Sequence, residues 1–77
     1  MDADTRDRFA IRCIVVSTQS GMANIARASG HDEDARDRLR AATLQRGNLL
    51  LTQLEHEHVL SSQIRLVMRA ARVALAD

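Results

Sequence analysis

The apolar positions between Leu60 and Leu75 wrap too far around a helix for burial on one side. At about 100° per residue, Leu60, Ile64, Val67, Met68, Ala71, Ala74 and Leu75 fill one face, and Val59, Leu66, Ala70 and Val73 extend it. The arc of roughly 220° exceeds the stripe of about 100° that a helix on a single core needs. Arg65, Arg69 and Arg72 occupy the strip that remains. Such a helix asks for two neighbours. The pattern predicts a long C-terminal helix over residues 49–76. The helix packs on the first segment, and the contacts predicted for that packing and for a partner are Leu60, Ile64, Val67, Met68, Ala71 and Leu75 on one side. The other, with Val59, Leu66 and Val73, meets a second copy or a partner. Ala70, Ala71 and Ala74 allow close helix approach.

Upstream, Ile11, Ile14, Val15, Thr18, Met22 and Ile25 share a face at helical spacing, predicting a helix over residues 5–28 capped by Asp4 or Thr5. Phe9, Cys13 and Val16 form a second, shorter ridge on it. The β-branched residues from Phe9 to Val16 also suit a strand, but no other segment offers a strand to pair with. Ser29-Gly30-His31 marks the clearest boundary, Gly30 suiting the left-handed position past a helix end. Asp32 then caps a second helix, residues 33–46, whose Glu33 and Asp34 complement the helix dipole. Its alternating Arg36, Arg38 and Arg40 read as a solvated face, with Asp34 and Arg38 four apart and able to pair. Gly47-Asn48 is turn chemistry and predicts a break or bend before Leu49. The alternative is a continuous rod from Glu33 to Ala76, giving a two-helix hairpin. The fold class is all-α: a helical hairpin or a three-helix domain, predicted to assemble into a larger bundle.

The chain's 77 residues make one small domain, of a size that buries only about 60% of its unfolded surface. With a single Cys, no internal disulfide can support it, so oligomerisation or partner binding is the expected support. Phe9 is the only aromatic residue, which weakens base-stacking and sugar-binding readings. All 11 basic residues are Arg, set against 10 acids. The bias fits a GC-rich, bacterial genome, and the near balance argues against a strong field for nucleic acid or anionic membrane. The acidic start lacks a signal-peptide n-region and no apolar run approaches a membrane span, so a cytoplasmic location is expected.

Glu55-His56-Glu57-His58 is the one cluster with metal-ligand residue types. Glu55 and His58 have the Glu-x-x-His spacing of di-iron bundles, but the further carboxylates such a centre needs are missing from the interior of the first segment. No metal and no cofactor are expected. His56 and Glu57 fall inside the apolar arc when the C-terminal helix is extended backwards. Either the helix leaves the core there, or the two form a polar layer that fixes register across an interface. Cys13 reads as core packing, having no adjacent base. His31 reads as a loop histidine. Nothing matches a phosphate loop, a dinucleotide fingerprint, a zinc finger or a catalytic triad.

In length, polar turn and Leu-rich C-terminal segment with Gln53 and Gln63, the layout resembles the small helical-hairpin subunits and chaperones of type III secretion systems. The Tyr-Asn-rich signature of needle subunits and a Pro-containing turn are absent, so no family is assigned on that likeness. The expected function is a non-enzymatic protein–protein interaction module: an adaptor, small chaperone or regulator. A DNA-associated regulator using Arg65, Arg69 and Arg72 is the alternative, and a metal-binding bundle using Glu55 and His58 comes third.

Overall fold

The computed structural model describes residues 2–28, 30 and 32–76; His31 lies outside the described residues. Three helices follow in order: α1 (Ala3–Ala28), α2 (Glu33–Glu57) and α3 (Ser62–Ala74). The all-α, three-helix class expected from periodicity is what the chain adopts. The helix boundaries differ in instructive ways.

The cap of α1 is Asp2, not Asp4 or Thr5. Its Oδ1 accepts the Thr5 N–H at 2.7 Å, which leaves Asp4 for another contact described below. The turn after α1 uses Gly30 at φ 57, the left-handed conformation that glycine adopts without cost. Asp32 caps α2 as expected, accepting from the Ala35 N–H at 3.0 Å. The first turns of α2 are solvated, although the ion pair there joins Arg36 to Glu33 at 3.9 Å rather than Asp34 to Arg38.

Helix α2 runs through Gly47-Asn48 without a break. Glycine is there for space, not for a turn. A Cβ on Gly47 would lie 2.5 Å from Thr18 Oγ1 on α1 and 3.1 Å from Leu75 Cδ1 at the end of α3. The break comes instead at residues 58–61. The His58 N–H closes α2 on Leu54 O at 3.0 Å, and Ser61 caps α3 by accepting from the Ile64 N–H at 3.2 Å. The C-terminal helix is therefore 13 residues long, and Leu49 to Glu57 belong to α2. The anomaly of His56 and Glu57 inside an apolar arc resolves the same way: they end α2 and are exposed.

Residue pairings fix the topology. Asp7 meets His58 and Thr18 meets Gly47, so α1 and α2 run antiparallel. Asp4 meets Ser61, while Ile11 and Val15 border a groove with Val67 and Ala74, so α3 returns parallel to α1. The molecule is elongated, 45 × 19 × 17 Å. Helix α3 is half the length of the other two and covers only one end of their hairpin. The core lies at that covered end: Ile11 from α1, Leu44, Leu51 and Leu54 from α2, then Leu60, Ile64, Met68, Ala71 and Leu75. Ile14, Val15 and Met22 pack at its edge. Among the described residues, no helix is long and apolar enough to cross a membrane.

Candidate functional site

Two polar ties hold α3 in place, and neither uses the residues expected to form a polar layer. The first sits where α1 begins and α2 gives way to α3. Asp7 shares the face of Ile11, Ile14 and Thr18 at helical spacing, so the fold that buries them buries it, to 1% exposure. Its Oδ1 lies 2.7 Å from His58 Nδ1 and 3.2 Å from Arg6 Nε. Burial, the largest single influence, pushes the Asp7 carboxyl up. The hydrogen bonds from His58 and Arg6, with their charges, together outweigh it and hold the group below the usual aspartate value. Asp7 is thus an acceptor only, and His58 donates through Nδ1–H. One turn earlier, Asp4 Oδ2 accepts from the Ser61 hydroxyl at 3.1 Å.

A carboxylate oriented on imidazole Nδ1 is one half of the arrangement that primes a general base, which then needs a nucleophile within reach. The nearby hydroxyl of Ser61 is spent on Asp4 and on the cap of α3. Among the described residues, no group of three or more His, Cys, Asp or Glu is placed to hold a metal ion. Glu55 and His58 have separate partners, Arg72 and Asp7. The pair works as a strut joining α1 to the corner.

The second tie is Arg72. Its Nη1 donates to Asn48 O at 2.9 Å and Oδ1 at 3.1 Å, and its Nη2 donates to Thr52 Oγ1 at 2.6 Å and Glu55 Oε1 at 2.7 Å. Asn48 Nδ2 in turn donates to Leu44 O and to Leu75 O, both at 3.0 Å, the latter satisfying a carbonyl at the end of α3. Of the three arginines on the strip left by the apolar arc, Arg65 and Arg69 are exposed, while Arg72 is turned onto α2.

Against these ties stands a large uncovered apolar surface. Leu60, Ile64, Met68, Ala71 and Leu75, expected among the partner contacts, are buried in the chain's own core, and Val67 is half-buried. The opposite side of the same segment is open: Val59 is 96% exposed, Leu66 62% and Val73 72%. Cys13, expected in the core, is exposed with Phe9 and Val16. Both α2 and α3 pack on the Ile11 face, and this ridge lies almost opposite it. The open surfaces of α1 and α3 adjoin. Val15 and Val16 face Val67, Ala70 and Ala74 across a groove of about 280 Å³, with Arg12 as its one polar wall. No family model, curated protein or solved structure matches the chain.

Proposed function

We propose that this chain is a protein–protein interaction module that acts by binding rather than by catalysis. The observation that supports the reading is the exposure of Leu66 and Val73 on α3 and of Phe9 and Val16 on α1, two helices that share the groove lined by Val16, Ala70 and Ala74. Scattered exposed apolar residues are normal, but adjoining ridges on two helices with a hydrocarbon-lined groove between them are the form of an interaction surface. Parallel helices separated by small side chains present a seam into which a further helix packs.

The test is the double variant Leu66→Glu, Val73→Glu. Both positions are exposed, so the helical circular dichroism and thermal midpoint stay close to wild type. Association is read as self-association by sedimentation equilibrium and as proteins retained on the immobilised chain, and it is lost. Leu39→Glu, at an exposed apolar residue of α2 well away from the seam, leaves it intact. Association that survives the double variant, or a double variant that unfolds, refutes the reading.

A further inference from the structure

The near-neutral balance of the chain hides a strict segregation of sign. The acids stand before Arg8, between Asp32 and Glu57, and at Asp77. From Arg8 to Ala28, and from Ser62 to Ala76, the only charged residues are arginines. Beyond the first turns of α1, where the Asp2 carboxylate feels the charge of Arg8, the described residues of α1 and α3 that border the apolar seam carry cations and no acid. Arg8 and Arg12 are exposed on the α1 flank, next to Phe9 and Val16. Arg65 and Arg69 are exposed beyond Leu66 and Val73 on the far side of α3. Among the described residues none of these four is in an ion pair, unlike Arg72.

We infer that the occupant of this seam is an amphipathic helix of another protein with an apolar stripe flanked by Asp or Glu. The inference rests on the interaction-module reading and adds the partner's chemistry. Charge complementarity selects it. In a two-fold dimer the same patch meets itself, which would set the arginines of one copy against those of the other with no acid between them. An acidic helix instead sets its carboxylates against guanidinium groups on both borders while its apolar stripe fills the groove over Ala70 and Ala74.

Fluorescence anisotropy with the full chain tests this. The probe is a labelled three-heptad peptide with Leu at every a and d position and Glu on both flanks. One twin carries Lys in place of Glu, and another carries Ser in place of Leu. At low salt the Glu–Leu peptide is expected to bind at least about tenfold more tightly than either twin. The Arg12→Glu, Arg69→Glu chain, with an unchanged melt, loses about tenfold for the Glu–Leu peptide and gains for the Lys twin. Equal binding of the Glu and Lys peptides overturns the inference. So does a dimer sensitive to Leu66→Glu with no peptide bound, which leaves the interaction-module reading standing with a second copy as occupant. Binding to phosphatidylglycerol vesicles but to no peptide overturns it in favour of a lipid surface. No association with peptide, copy or vesicle overturns both readings.

Discussion

Gly47→Ala sets two effects of opposite sign against each other. Alanine in a helix interior is worth about 1 kcal/mol over glycine. If α2 broke at residue 47, or if its flank faced solvent, the substitution would not meet a neighbour. In this fold the new methyl lies 2.5 Å from Thr18 Oγ1, 3.0 Å from Thr18 Cγ2 and 3.1 Å from Leu75 Cδ1. Leu75 can withdraw the tip of its side chain. Thr18 has less freedom: both γ atoms lie near the new methyl, and its hydroxyl is held by Ile14 O at 2.7 Å. Relief requires α1 and α2 to separate where Thr18 is buried. Overpacking of this kind costs about 1–3 kcal/mol, and contact with both γ atoms puts it at the upper end. The net expectation is destabilisation by about 1–2 kcal/mol, a fall in thermal midpoint of roughly 5–15 °C for a domain of this size. Circular dichroism at the helical band is the assay, since the chain has no Trp or Tyr. In a Thr18→Ala background only the tip of Leu75, at 3.1 Å, has to give way, and Gly47→Ala becomes neutral or stabilising by up to about 1 kcal/mol. A wild-type background in which Gly47→Ala raises the midpoint would refute the close approach of the three helices at this point.

Three further predictions concern the ties. Because the Asp7 carboxyl is depressed in the folded state, the unfolded chain binds the extra proton first, so its contribution to stability is complete above about pH 4 and is lost as pH falls through the folded value; an acid-unfolding series should show a shallower acid limb for Asp7→Asn. His58→Ala should cost more than Asp7→Ala in urea melts, because the former leaves a carboxylate of 1% exposure with Arg6 as its remaining partner, at 3.2 Å, whereas the imidazole left by the latter, 26% exposed, can reach water. Asn48→Ala removes the donor to Leu75 O and one acceptor of Arg72, and should cost about 1–3 kcal/mol with early fraying of α3 seen by hydrogen exchange.

Much of this architecture is readable along the chain, and the places where reading fails share one cause. The inward face of α1, the boundary at Gly30, the cap at Asp32 and the inward side of α3 all follow from local pattern. Gly47 does not, because glycine signals either a turn or a close approach, and only the neighbours decide which. Thr18 and Leu75 decide here, and neither is near it in sequence. The true break carries no Gly or Pro, only Ser61 ahead of the apolar-periodic Ile64. Its best signal is indirect: His56 and Glu57 fall inside an apolar arc if the helix is extended through them. Asp7 leaves a similar trace, a charge in register with Ile11, Ile14 and Thr18, while the Arg72 clasp joins residues 17 to 24 apart and leaves no trace in periodicity. Cys13 shows the reverse error. Apolar spacing identifies a ridge but not whether the chain covers it.

The decisive measurement is a chemical-shift map of the isotopically labelled chain titrated with the Glu–Leu peptide. Perturbations are expected at Phe9, Val16, Leu66, Ala70 and Val73, with the guanidinium resonances of Arg12 and Arg69 moving and Leu39 on the uncovered end of the hairpin unmoved. Shifts centred on α2, or spread evenly over the molecule, would contradict the assignment of the α1–α3 seam as the binding surface.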